Sequence, residues 1–418
     1  MPLHLTRRTP LRLPAVLAAV LGLCAAVIGA AATLAPRAEA ATLTPVSAFG
    51  ANPGDLNMYA YVPDTLPDGA PLVVLLHGCS QDAAAYHRHS GWAEYADRLG
   101  FALVYAEQRR SNHSSTCFHW FRSGDTARDS GEALSIRNMV AHAVRIHGLD
   151  EDRVYVSGLS AGGAMASEML SAYPDVFAAG SIVAGLPTGC ATSLLDATTC
   201  MYAGKNRTPE QWGDLVRAKN PGWTGPWPRV AVWHGTSDSV VVPANAASSR
   251  DQWTDVWGIG RTPAETGSLG SNTTVEIYRT DSGVDAVARY TVSGMGHGTP
   301  VAPGTGDDRC GTAGAYFLDT ICSTYHTIRF WGLGEPPEPS PTPTATPTAN
   351  PSPTTPPPPS GECVTADNYR HVAEGRAYVS YGQAYSEGGD DLLGLWNVYV
   401  TTSLRETSPH HWERVTGC

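Results

Sequence analysis

Val154-Tyr155-Val156-Ser157-Gly158-Leu159-Ser160-Ala161-Gly162-Gly163-Ala164-Met165-Ala166 is the stretch that decides how this chain folds. Its first residues are β-branched and aromatic, which suits a strand. Its last residues are small, which lets a helix start close against a sheet. Between them, Gly158-Leu159-Ser160-Ala161-Gly162 predicts a strained strand–turn–helix with Ser160 at the tip. Glycine is needed on either side because a Cβ would meet the neighbouring strand and helix. In a chain with 43 glycines the pentapeptide is a weak signal alone, so its surroundings have to decide.

Upstream, Pro71-Leu72-Val73-Val74-Leu75-Leu76 is a short continuous apolar run, the pattern of a strand buried on both faces. It ends in His77-Gly78-Cys79-Ser80-Gln81. Downstream, Arg229-Val230-Ala231-Val232-Trp233 repeats the pattern and ends in His234-Gly235-Thr236-Ser237-Asp238. Tyr290-Thr291-Val292 then runs into Gly294-Met295-Gly296-His297-Gly298. Phe101 to Tyr105 reads as another buried strand, and Met58 to Val62 as the clearest early one. Ala83 to Leu99 and Asp129 to Gly148 read as helices, the second with Ala133, Ile136, Val140 and Ala143 on one face. Strands alternating with helices predict an α/β class with a mostly parallel sheet over residues 41–334. The chain order Ser160, Asp238, His297 is the order of the α/β-hydrolase fold. Each of the three lies after a strand, where open α/β sheets hold their sites.

The chemistry expected of these residues follows from their types. A serine hydroxyl is a poor nucleophile near neutral pH and needs a base within reach. His297 is the base expected to take its proton, and Asp238 the group that orients the imidazole and stabilises its charged form. The backbone N–H groups of Ala161 and of Cys79 (or Ser80) are the expected oxyanion donors. Asp238 also suits a turn or cap before Val240, and His297 a structural loop position, among 14 histidines. His77 and His234 each close a strand in a His-Gly pair, and a positioning role is expected of both. Asp129 reads as a helix start, and Asp150 and Asp152 as turn residues; all three stay outside the triad.

The ends of the chain differ from its middle. Arg7, Arg8 and Arg12 precede an apolar stretch from Leu13 to about Leu34, and Ala38-Glu39-Ala40 supplies a small-x-small cleavage site. Residues 1–40 are expected to be a secretory signal, with Arg7-Arg8 hinting at twin-arginine export. No other segment is apolar enough to span a membrane. Removing four arginines and one glutamate takes the net charge from −11 to −14, which argues against a nucleic-acid partner. Eight of the nine cysteines remain, an even number that predicts disulfides in an oxidising compartment. Cys363 and Cys418 bracket the C-terminal residues and are paired. Cys190 with Cys200 and Cys310 with Cys322 pair by spacing, which leaves Cys79 with Cys117. No metal is expected, since there is no CxxC and no close Cys/His cluster in sequence. The triad needs no cofactor.

Nearly half of residues 335–361 are proline, with Thr and Ser filling most of the rest. Such a stretch cannot bury a core and is expected to be an extended linker, at about 3.1 Å per residue. Residues 362–418 form a short, aromatic segment that needs its disulfide as a staple. A β-rich binding module is expected there, with Tyr381, Tyr385, Trp396 and Tyr399 as candidates to contact a polymer. Tethering such a module raises the effective concentration of a catalytic domain at a solid surface.

The runs Leu76 to Gln81, Cys117-Phe118-His119-Trp120-Phe121, Gly158 to Met165, His234 to Asp238 and Gly294 to Gly298 resemble one family of secreted esterases. It includes extracellular poly(3-hydroxybutyrate) depolymerases and the related feruloyl and acetylxylan esterases. Asn368 to Tyr378 and Leu393-Gly394-Leu395-Trp396-Asn397 resemble the substrate-binding domain of those depolymerases; Glu387-Gly388-Gly389-Asp390-Asp391 is more acidic than that domain's usual turn. The resemblance implies a secreted serine esterase acting on an insoluble polyester, with a plant polysaccharide ester as the rival substrate. Trp120 is then expected to line the acyl subsite, and a monomer is expected. A surface-adhesion protein with a decayed esterase is the reading from another class, and the complete set Ser160, Asp238, His297 argues against it.

Overall fold

A computed structural model of the chain describes residues 41–333, 363–380, 383–389, 391–395, 400–408 and 411–418. The expected signal (1–40), the expected linker (335–361), and Tyr381, Trp396 and Tyr399 lie outside the described residues. The described residues fall into two compact units, one on each side of 334–362.

The first unit is built on one ten-stranded sheet. Its strands are β1 (Thr44–Val46), β2 (Asn57–Tyr61), β3 (Leu72–Leu76), β4 (Ala102–Glu107), β5 (Val154–Leu159), β6 (Ala179–Val183), β7 (Arg229–Gly235), β8 (Glu265–Leu269), β9 (Thr273–Arg279) and β10 (Asp285–Val292). The spatial order is β1-β2-β4-β3-β5-β6-β7-β10-β9-β8. The six strands from β4 to β10 in that order are parallel, and both margins are antiparallel. The parallel strands are the apolar ones: every residue of β3, β5 and β6 is buried. Residues pointing to opposite faces of the sheet form two separate cores. Val74, Val156 and Val232 belong to one, and Val73, Tyr155 and Trp233 to the other.

The helices are α1 (Ala83–His89), α2 (Trp92–Leu99), α3 (Ser123–Thr126), α4 (Gly131–His147), α5 (Ala161–Ala172), α6 (Leu194–Ala203), α7 (Pro209–Arg217), α8 (Ala244–Val256) and α9 (Ser323–Trp331). The single helix expected over 83–99 is two. Gly91 breaks it with a left-handed backbone, φ +81°, and a Cβ there would lie 2.6 Å from Cys310 Cβ. The break lets the loop around Cys310 close onto this edge. The helix expected from Asp129 begins two residues later, because Asp129 has φ +60° and Ser130 is the N-cap. Gly148 caps its far end in the left-handed region. Among the described residues no helix is long and apolar enough to cross a membrane.

A short parallel pair, β11 (Thr299–Val301) and β12 (Phe317–Asp319), completes the strands described in the first unit. Among its described residues, the second unit has two three-stranded antiparallel sheets. One joins β13 (Cys363–Asp367), β17 (Thr401–Ser408) and β18 (His411–Val415); the other joins β14 (Ala377–Ser380), β15 (Gln383–Ser386) and β16 (Leu392–Leu395). A short helix, α10 (Asn368–Ala373), lies between β13 and β14 in the chain. Its core is small: Ala377, Ala384, Leu393, Leu404 and Trp412. Cys363 and Cys418 are bonded across it. The other three expected disulfides, Cys79–Cys117, Cys190–Cys200 and Cys310–Cys322, are formed in the first unit.

Candidate active site

Ser160 stands between β5 and α5 with φ +56° and ψ −116°, a conformation that L-residues rarely adopt. Its surroundings hold it there. The Ser160 N–H donates to Val183 O at 2.9 Å, tying the turn to β6. A Cβ on Gly158 would lie 2.2 Å from Gly162 O, and one on Gly162 would lie 2.2 Å from Leu76 O. The glycines of the pentapeptide therefore let the turn close and let α5 press on the end of β3. Ala161 is the first residue of α5, so its N–H has no partner within the helix.

β7 runs two residues further than its apolar core suggested, through His234 to Gly235. Asp238 follows in a tight loop. Its Oδ1 accepts the N–H groups of Val240 and Val241, both at 2.9 Å. Its Oδ2 accepts His297 Nδ1–H at 2.7 Å. The loops that carry Asp238 and His297 are laced together. Thr236 N–H donates to Val292 O, Ser237 N–H to Met295 O, and Gly294 N–H to Thr236 Oγ1. His234 Nε2 lies 2.7 Å from Val241 O, which fixes its proton on Nε2, and 3.4 Å from Asp238 Oδ2. His234 thus bridges the turn and the carboxylate. Burial pushes the Asp238 pKa up, but the hydrogen bonds from His234 and His297 outweigh it and hold the carboxyl below its ordinary value. The same carboxylate that closes the turn faces the histidine as an anion.

The loop after β3 is held from several sides. Gln108 N–H donates to His77 Nε2 at 3.1 Å, so the His77 proton is on Nδ1, which donates to Gly78 O at 2.8 Å. Burial holds the His77 pKa down, so the ring is neutral. Gly78 N–H donates to Gln81 Oε1 at 2.8 Å. Of the two N–H groups that the sequence left open as candidate oxyanion donors, that of Ser80 is committed to Ser115 O at 2.6 Å. Cys79 is the remaining one, and its side chain is bonded to Cys117.

Other expected residues have other surroundings. Trp120 is buried, 4 % exposed, and packs edge-to-face on Phe121. Tyr385 is half-buried and stacks on Tyr378 at 5.5 Å. Asp150 accepts Asp152 N–H and pairs with Arg153, the turn role expected of it. Two groups went unread in the sequence. Tyr316, exposed and at φ +65°, sets its ring edge-on to His297, 6.1 Å between centroids. His119, Asp125 and Glu132 bring one ligand atom each within 4.8 Å of one another.

Against known proteins, a family model described as esterase PHB depolymerase matches residues 57–272. Poly(3-hydroxyalkanoate) depolymerase C of Paucimonas lemoignei is 48% identical over 292 residues, covering 70% of each chain. Feruloyl esterase B of Talaromyces funiculosus is 36% identical over 276 residues, 64% of this chain and 76% of that one. The solved acetyl xylan esterase from Aspergillus awamori superposes with a TM-score of 0.61 at 26% identity, covering 70% of this chain and 99% of that one. The chain is a carboxylic ester hydrolase, and it belongs to the esterase PHB depolymerase family.

Proposed function

We propose that the chain is a secreted serine esterase that hydrolyses a solid polyester of the poly(3-hydroxybutyrate) type. The observation that carries the mechanism is the 2.7 Å bond from His297 Nδ1 to the Asp238 anion. It leaves His297 Nε2 as the base for Ser160. In the reaction, Ser160 Oγ attacks the ester carbonyl and passes its proton to Nε2. The oxyanion takes hydrogen bonds from the Ala161 and Cys79 N–H groups. The C–O bond to the leaving alcohol breaks, and His297 returns the proton to that alcohol. A water molecule then attacks the acyl-enzyme, with His297 as base again, and releases the acid and free Ser160. Trp120, on the segment that Cys117 bonds to Cys79, is the candidate for lining the acyl subsite.

The polyester is favoured over plant esters because the depolymerase is the more similar relative, 48% against 36% identity. The C-terminal unit is the polymer-binding module, with Tyr381, Tyr385, Trp396 and Tyr399 as its contacts. The test is clearing of a poly(3-hydroxybutyrate) suspension by the mature protein, run beside acetylated and feruloylated xylan. Clearing that Ser160→Ala abolishes supports the reading. Ester release from xylan without clearing moves the substrate to the plant cell wall and keeps the mechanism.

A further inference from the structure

Beneath the loop of Cys79 lies a buried polar cluster that the triad chemistry does not use. Glu132 stands in the first turn of α4 and is 1 % exposed. Its Oε1 accepts His119 Nδ1–H at 2.8 Å and a bond from Gln108 Nε2. Its Oε2 accepts the His119 backbone N–H at 2.8 Å. Both oxygens therefore face N–H donors, the arrangement of a hydrogen-bonded brace more than of a cation cage. Asp125 stands further off, 3.7 Å from His119 Nδ1.

Keeping a carboxylate in such a place is costly. Burial pushes the Glu132 pKa up, and the His119 bonds oppose it. Well-packed apolar side chains often serve stability as well or better than buried charges. What Glu132 supplies instead is connection, and both of its connections end on the same loop. Through Gln108 it reaches His77, whose Nε2 accepts the Gln108 N–H and whose Nδ1–H holds Gly78 O. Through His119 it reaches the segment of Cys117, which is covalently bonded to Cys79. One carboxylate grips the Cys79 peptide from its chain neighbour and from its disulfide partner.

We infer that Glu132 is a positioning residue for ester hydrolysis, setting the Cys79 N–H where the oxyanion forms, with Gln108 and His119 as its two arms. This rests on the role proposed above for that N–H. Glu132 touches no reacting atom. Its contribution is to fix a donor in advance, and a misplaced donor stabilises the transition state less while leaving ground-state binding alone.

The test uses the full, disulfide-intact chain and the soluble ester p-nitrophenyl butyrate. Glu132→Gln keeps the shape but turns an NH2 group against N–H donors. Active sites are counted by titration with a phosphonate that labels Ser160, and rates are given per labelled site. The expected kcat loss is about 10- to 100-fold with KM changed less than about twofold. Inhibition by an alkyl boronic acid, whose Ser160 adduct mimics the tetrahedral state, should weaken by a similar factor. A merely structural role would lower the labelled fraction or the melting temperature and leave kcat per site unchanged; that result overturns the inference. Gln108→Met cuts one arm and keeps the Glu132–His119 pair. It should show a smaller kcat loss of the same kind, and it decides the matter if Glu132→Gln fails to fold. An unchanged kcat per site in it then overturns the inference. Turnover that survives Ser160→Ala would instead sink the proposed site, a failure these variants do not share.

Discussion

Asp238 does two jobs with one carboxylate, and its two oxygens divide them. Oδ1 closes the turn through Val240 and Val241, while Oδ2 holds His297. The sequence offered a turn residue and a triad acid as competing readings, and the geometry has room for both. Substituting Asp238→Asn should therefore leave the fold and cut kcat by about 10⁴-fold, because an amide cannot hold the same tautomer against His297. Steady-state kinetics beside a melting curve would check both halves. The carboxyl also links stability to pH. Its folded pKa lies below the ordinary 3.8, so its stabilisation is complete above that value and is lost as the pH falls below it. Between about pH 5 and pH 2 the parent chain should lose more melting temperature than Asp238→Asn. Equal losses would show that the pair does not carry this linkage. At this scale, the places of residues in short motifs were legible: Ser160, Asp238 and His297 each follow a strand within a few positions, as read. Glu132 was not, because in sequence it is one more acid in a helix's first turn. Only the fold brings it beside His119 and Gln108.

The elements owe their placing to a few backbone contacts. Where β5 meets α5, the chain passes so close to itself that Gly158 and Gly162 have no space for a methyl group. Gly158→Ala should cost about 3 kcal/mol or more, because the obstacle is a backbone carbonyl that cannot move aside. Gly260→Ala, with nothing within 4 Å of its added Cβ, should change stability by less than about 0.5 kcal/mol. Chemical denaturation of the pair checks the contrast. Most of the parallel strands were legible because a strand buried on both faces must be apolar throughout; β6 was not read, since Ala179-Gly180-Ser181 is small and carries little apolar signal. The antiparallel margin of β8 and β9 was not, since half-exposed Glu265–Leu269 carries little apolar signal. Nor was the break at Gly91, whose cause is Cys310, more than two hundred residues along the chain.

At the scale of the whole molecule, the division into two units was legible from composition alone, since the proline-rich stretch announces a boundary. Removal of residues 335–418 should abolish adsorption to solid polymer and its clearing while sparing p-nitrophenyl butyrate turnover. Loss of soluble-ester turnover as well would contradict a modular protein. The second unit has a small core and one disulfide that closes a loop of 55 residues. By loop entropy that bond is worth about 4 kcal/mol, so reduction should unfold this unit before the first. The Cys79–Cys117 bond has a different consequence. If the loop of Cys79 carries the proposed oxyanion donor, reducing this bond should lower turnover, so the chain should work fully only where thiols are kept oxidised.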